Sequence, residues 1–311
     1  MKIKHENPIT KEDISALFPP IPKRANKGSM GRVICICGSY SNTSAMCGAA
    51  YFAAAAAYRC GAGIVEIFTA RENFAPLSSL IPEAVFTLYG KEDSEDDILS
   101  NLACQVAKAD SIVIGCGLGT SHISEKIVKK TLEIARVPLV IDADALNIIA
   151  KIPNAFELIS PKQREMTVLT PHMGEMSRLC NTNINVVLAD PENIATEYAI
   201  KHGVICLLKD HKTVITDGHT TFINESGNPG MASGGMGDVL SGILGALLAR
   251  RTLAEWISAD RRELSQALYR AAAGAYLHGS AGDIASKKTG EYSLTSSDLL
   301  AHISQAIIKN S

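Results

Sequence analysis

The stretch "SIVIGCGLGTSHISEKIVKKTLEIARVPLVIDADAL", residues 111–146, decides the fold. "SIVIGCGLG" (111–119) reads as a buried strand running into a glycine-rich turn. "HISEKIVKKTLEIAR" (122–136) reads as a helix, and "PLVIDADAL" (138–146) as a strand that ends in acids. Two apolar strands joined by a helix form a parallel crossover unit, whose strands are buried on both faces. The same alternation extends in both directions. Upstream stand strand-like "RVICICG" (32–38), Ala-rich helical "SAMCGAAYFAAAAAYRCGA" (44–62), strands "GIVEIFTA" (63–70) and "EAVFTLYG" (83–90), and helical "EDDILSNLACQVAKA" (95–109).

Downstream, "TVLTPHMGEMSRLC" (167–180) reads as strand, proline stop and helix. "PENIATEYAIKHG" (191–203) is helical, with glycine near its end. "VICLLKD" (204–210) is followed by "TVITDGHTTFINE" (213–225), two strands joined by an Asp-Gly turn. Helices are predicted over 237–250, about 263–280 and about 296–309. The first 30 residues, with "FPPIP" (18–22), are expected to be irregular and to wrap the surface. The whole reads as α/β: a mainly parallel sheet with helices on both faces, forming a single domain over 1–311. There is no internal repeat or credible linker.

Hydrophobic residues make up 46% of the chain and charged residues 20%, as in soluble globular enzymes. Lys+Arg of 30 against Asp+Glu of 32 leaves no basic excess for a nucleic-acid partner. None of the eight cysteines forms a C-x-x-C pair, which disfavours a zinc site and fits a reducing compartment. "MKIKHENPITKEDIS" has no apolar signal core, and the longest apolar run is too short to cross a bilayer. A cytoplasmic protein is expected.

In such folds ligands bind beyond the carboxyl ends of the strands. The polar loops "GSYSNTS", "GCGLGTS", "DADALN", "TPHMGE", "KDHKT" and "SGGMGD" each follow an apolar segment, so together they imply one extended polar cleft. "SGGMGD" leads straight into "VLSGILGALLA". A helix start exposes unpaired N–H groups, and glycines let an anion approach them. Asp238 at that junction would repel a phosphate. It is either a general base for a hydroxyl attacking phosphorus or a charge capping the helix. "GCGLG" lacks dinucleotide-fingerprint spacing and reads as a tight turn against a ligand. Asp142 and Asp144, two apart, would share a face on a strand, holding Mg²⁺ through water or capping a following helix. His172 is a candidate substrate contact; Lys209, Lys212 and Thr213 lie between strands.

These motifs, taken in order, resemble the ADP-dependent (S)-NAD(P)H-hydrate dehydratases of the ribokinase-like superfamily. The resemblance rests on "ITKEDISALFPPIPKRANKGSMGRVICICGS", "GAAYFAAAAAYRCGAGIVEI", "VIGCGLG", "PLVIDADALN", "LTPHMGE", "KDHKTVI" and "ASGGMGDVLSG", nearly the whole chain. Cys116 stands where the family's turn usually has proline, Met173 where proline usually follows the histidine, and Asp210 where glycine usually follows the lysine.

The resemblance implies a ribokinase-like three-layer fold and repair of hydrated NADH or NADPH. ADP would phosphorylate the hydrate hydroxyl, and phosphate would then leave, releasing AMP. Asp238 would be the base, with N–H groups around Gly235 to Gly237 receiving the transferred phosphoryl group. Ala49, Gly117, His172 and Asp238 would meet the hydrate. Lys209, Asp210, His211, Lys212, Thr213 and Gly237 would meet the adenine nucleotide, with Mg²⁺ offsetting its charge. A homo-oligomer and a separate NAD(P)H-hydrate epimerase are implied as partners. The rival readings are an ATP-dependent small-molecule kinase of the same superfamily and a nucleotide-binding regulator without catalysis.

Overall fold

A computed structural model describes residues 4–250 and 265–310. Its strands are β1 (Lys4–His5), β2 (Arg32–Ile36), β3 (Ile64–Ala70), β4 (Val85–Tyr89), β5 (Ser111–Ile114), β6 (Leu139–Ile141), β7 (Thr167–Leu169), β8 (Ile205–Leu208), β9 (Thr213–Thr216) and β10 (Thr220–Asn224). The helices are α1 (Lys11–Leu17), α2 (Cys47–Arg59), α3 (Phe74–Leu80), α4 (Glu95–Val106), α5 (His122–Ile134), α6 (Ala143–Ile149), α7 (Pro161–Arg164), α8 (Met173–Leu179), α9 (Ile184–Ala189), α10 (Pro191–His202), α11 (Met236–Ala249), α12 (Gln266–Thr289) and α13 (Ser296–Asn310). One sheet carries all the strands in the order β1-β10-β9-β8-β7-β6-β5-β2-β3-β4. Among the described strands, only the β8–β9 and β9–β10 pairs are antiparallel. The expected α/β architecture is therefore present, with the Asp217-Gly218 hairpin where the sequence puts it.

Each central strand feeds two cores, because successive side chains point to opposite faces. Val33 and Cys35 of β2, Val113 of β5, Val140 of β6 and Ile205 of β8 join one core, with α2, α11, α12 and α13. Ile34, Ile36, Ile112, Ile114, Leu139 and Cys206 join the other, with residues of α4, α5, α6, α8 and α10. This double burial is why the strands read as continuous apolar runs.

Helix α11 is buried almost throughout its length. It lies across the sheet with Gly245 against Val33 and Ser111, at the start of β2 and β5. The Ser111 hydroxyl donates to the Gly245 carbonyl at 2.6 Å. The N-terminus of α11 therefore points to the carboxyl ends of the strands. The chain reverses its direction of travel across the sheet between β2 and β5, so α11 ends at the topological switch point. Small residues on both helices allow close approach of α11 to α2: a Cβ on Gly242 of α11 would stand 2.0 Å from the carbonyl oxygen of Ala53 in α2.

Three expectations need correction. The first 30 residues are not irregular throughout. β1 pairs with β10, and Thr10 and Asp13 form a reciprocal capping box at the start of α1, whose Ile14 and Leu17 are fully buried. The helix expected over about 263–280 spans Gln266–Thr289 among the described residues. Gly279 and Gly282 do not break it, because they sit against Ser226 and Met231, where a side chain would collide. Asp142 and Asp144 do not share a strand face. β6 ends at Ile141, Ala143 has φ +49°, and Asp144 already belongs to α6. No helix among the described residues is long and apolar enough to cross a membrane.

The α2–α11 contact is the joint that aims the N-terminus of α11. Gly242→Ala is expected to lower unfolding free energy by about 1–3 kcal/mol, the usual cost of overpacking. Urea denaturation of the variant beside the parent checks this; equal midpoints would mean that the two helices part without cost.

Candidate active site

The site is built around Asp142, which is 1% exposed. It occupies the N-cap position of α6, yet its side chain makes no cap. Oδ1 instead accepts from Lys209 Nζ at 2.8 Å, and Oδ2 from the Ser241 hydroxyl at 2.8 Å. One carboxylate thus ties the end of β6 to the loop after β8 and to the first turns of α11. A carboxylate this deep needs such partners, because an unpaired buried charge is costly. Asp144 turns elsewhere and accepts the Gly119 N–H at 2.8 Å, fixing the glycine-rich turn after β5.

Burial works against the Lys209 ammonium, but Asp142 and Glu175 outweigh it and hold its pKa above the ordinary lysine value. Its backbone N–H donates to the Pro171 carbonyl at 2.8 Å, which sets it beside His172. His172 caps α8: its Nδ1 accepts from the Gly174 N–H at 2.9 Å, while Glu175 accepts the His172 N–H at 2.9 Å. An accepting Nδ1 assigns the ring proton to Nε2. Burial, then Lys209 and Arg178, lower the imidazole pKa and favour this neutral form.

Gly235 is the N-cap of α11 at φ +89°, a left-handed conformation that suits glycine, and no side chain caps this helix end. A Cβ on Gly235 would meet the Phe52 ring and the Ser296 hydroxyl at 2.9 Å. Gly237 lies over the Lys209–Asp142 pair, its Cβ position 3.4 Å from Lys209 Nζ. Asp238 follows, half-buried, with its carboxyl pKa raised to about 6. Burial is the main cause, and Asp142 adds to it. The nearby Cys116 thiol and the charge of Lys209 act in the opposite sense. Donor atoms of Cys116, Asp142 and Asp238 lie within 4.8 Å of one another.

A cavity of about 790 Å³ opens beside this helix end, lined by His172, Lys209, Asp210, His211, Thr213 and Gly237 among others. Five of the six residues expected to meet the nucleotide therefore share one cavity. Lys212 does not line it. Its ammonium pairs with Glu225 at 2.7 Å and faces a neighbouring cavity of about 510 Å³. Ala49 and Gly117 meet each other instead, with the Gly117 Cβ position 2.8 Å from the Ala49 methyl, at the mouth of the β2–β5 switch point.

The sequence reading missed Ser241 and His278. Ser241 follows Asp238 by three residues on a helix, a spacing that shares a face and so carried a usable signal. His278, deep in Ala-rich α12, lines the large cavity, and its Nε2 lies 2.9 Å from the Met236 carbonyl oxygen. Burial lowers its pKa to about 4, so at neutral pH the ring donates to that carbonyl. Nothing in its sequence surroundings marks it.

The raised Asp238 pKa has a consequence for stability. The folded chain binds this proton more tightly than the unfolded one, whose carboxyl titrates near 3.8. Asp238 therefore costs stability progressively as pH rises from about 4 to about 6. Asp238→Asn is expected to melt above the parent at pH 7.5, and the difference should vanish near pH 4. Paired thermal melts across that range check it; a constant difference would contradict it.

A family model described as NAD(P)H-hydrate dehydratase matches residues 33–305. The chain is 38% identical over 291 residues to the bifunctional NAD(P)H-hydrate repair enzyme of Coxiella burnetii, covering 92% of this chain and 53% of that one. It is 32% identical over 246 residues to the ADP-dependent (S)-NAD(P)H-hydrate dehydratase of Lactiplantibacillus plantarum, covering 78% and 81%. The chain spans about half the length of the bifunctional relatives it matches. Among solved structures, a ribokinase-like superfamily protein of Enterococcus faecalis superposes with TM-score 0.78 at 27% identity, covering 99% of this chain and 96% of that one. With the sheet order and the helix end at the switch point, these matches establish that the chain belongs to the NAD(P)H-hydrate dehydratase family and has the ribokinase-like fold.

Proposed function

We propose that this chain dehydrates the S epimer of NADH hydrate or NADPH hydrate at the expense of ADP, restoring the reduced dinucleotide and releasing AMP and phosphate. The observation that carries the proposal is Asp238, a carboxylate with its pKa raised to about 6, set at an uncapped helix N-terminus beside a nucleotide-sized cavity. A base works best when its pKa lies near the working pH, and an uncapped helix end offers N–H donors to an anion.

Asp238 takes the proton from the hydrate hydroxyl as that oxygen attacks the β-phosphorus of ADP. The bond to the bridging oxygen breaks, and AMP leaves. The N–H groups at Gly235 to Gly237 stabilise charge on the moving phosphoryl group. Lys209 stands under Gly237 and supplies positive charge on the same side. Phosphate is a far better leaving group than hydroxide. The ring nitrogen lone pair expels it, and a proton leaves the neighbouring carbon to complete the double bond. Ala49, Gly117 and His172 are assigned to the hydrate. Lys209, Asp210, His211 and Thr213 are assigned to the nucleotide, and Lys212 acts from outside that cavity.

Mg²⁺ would partly neutralise the diphosphate. The Cys116–Asp142–Asp238 group is a poor resident site for it. The thiol is a soft donor, and both Asp142 oxygens are engaged by Lys209 and Ser241. The ion fits better as one carried in on the phosphates, which suits its usual mode of binding. A cytoplasmic protein acting as one unit over 1–311, assembled as a homo-oligomer, completes the proposal. A separate epimerase would supply the S form from its opposite epimer.

Incubation with NADH hydrate, ADP and Mg²⁺ tests the reading. Return of the NADH absorbance with equal release of AMP is expected. A stable phosphorylated hydrate would favour a kinase, and no turnover a regulator. Asp238→Asn is expected to lower turnover on the order of 10²-fold or more, with ADP binding equal or tighter because a repulsive charge is gone. Near-parental turnover in that variant would leave Asp238 as a charge in the first turn of α11 with no part in proton transfer.

A further inference from the structure

The turn after β5 places a thiol near the proposed base. Cys116 is fully buried, and its sulfur lies within 4.8 Å of carboxylate oxygens of Asp238 and Asp142. Contact with Cys37, then burial, push the Cys116 thiol well above its ordinary range, so it stays protonated and carries a donor. Two acceptors stand near that S–H: the Cys37 sulfur and the Asp238 carboxylate. Asp142 is already served by Lys209 and Ser241. Cys37 spends its own S–H on the Val113 carbonyl at 3.9 Å. A carboxylate anion is a stronger acceptor than a neutral sulfur.

We propose that Cys116 is a positioning residue for the base: its S–H donates to the Asp238 carboxylate, orients it, and favours its ionised, proton-accepting form. When Asp238 takes a proton, the thiol turns to Cys37. The inference rests on reading Asp238 as the base.

The other groups facing Asp238 are fixed by other elements. Asp142 and Asp144, beyond β6, disfavour its ionised form, and Lys209, beyond β8, favours it. The Cys37 thiol, beyond β2, stays neutral because burial raises its pKa well above the ordinary value. The first turn of α11 also packs against uncharged Phe52 of α2 and Ser296 of α13, and His278 of α12 holds the Met236 carbonyl. Cys116 is thus a neutral donor that helps Lys209 offset burial and two acidic neighbours.

The test is to titrate Asp238 directly by carboxyl-¹³C NMR in the full chain, with Asp238→Asn giving the assignment. The parent midpoint is expected near 6. In Cys116→Ala it should move up by about 0.5–1 pH unit, the size of one hydrogen bond. Cys116→Ser, whose hydroxyl is the better donor, should return it to the parent value or below. The acid limb of kcat/KM should move in parallel. Superimposable curves for parent and Cys116→Ala would overturn the inference. If Cys116→Ala does not fold, the S–H infrared stretch of the parent decides, with Cys116→Ser identifying the band. It should shift to lower frequency between pH 5 and pH 7.5, and an unshifted band would overturn the inference. Neither readout needs turnover, so a chain that titrates as expected but leaves NADH hydrate untouched would refute the proposed function and not the thiol contact.

Discussion

Asp142 is the constraint on which the site depends. Its buried carboxylate is shared between Lys209 and Ser241, so three parts of the chain distant in sequence meet at one pair of oxygens. The loop after β6, the loop after β8 and the start of α11 cannot shift independently without leaving a buried charge or donor unpaired. Such an uncompensated charge costs several kcal/mol, more than loop motion normally gains. Gly235 turns the chain into α11 at a left-handed φ, and Gly242 lets α11 settle onto α2, so the N-terminus of the helix stays aimed.

The same arrangement explains how an acid is tolerated at a helix end meant for an anion. Helix N–H groups and Lys209 favour negative charge there, while burial and Asp142 disfavour it. The balance leaves Asp238 poised near pH 6, ionised at neutrality yet ready to accept a proton. A more exposed carboxylate would be a weaker base, and one without Lys209 nearby would hold its proton to a higher pH. His278, which also lines the cavity, steadies the same helix turn through the Met236 carbonyl.

Much of this was legible in the sequence because the strands are buried on both faces. Runs such as "SIVI" and "VICLL" could be read without their partners. The loops at the strand ends could be named for the same reason, since they carry polar residues directly after apolar ones. What escaped depended on contacts between distant segments. The start of α1 carried a legible capping box, but its burial depends on α12 and α13. Gly279 and Gly282 look like helix breakers until Ser226 and Met231 are seen against them. Lys212 belongs by sequence to the lysine loop, but Glu225 across the hairpin draws it out of the cavity. The roles of Cys116 and His278 are set by the residues they face, which no spacing rule reveals.

The most direct test of this account is the acid limb of kcat/KM for NADH hydrate in Asp142→Asn. The amide keeps an acceptor for Lys209 and a polar partner for Ser241 while one negative charge is removed. With that repulsion gone and Lys209 released from its counter-charge, the limb should move clearly below the parental value near 6. A limb that stays in place would contradict the account, because Asp142 would then not set the charge balance on which the base depends.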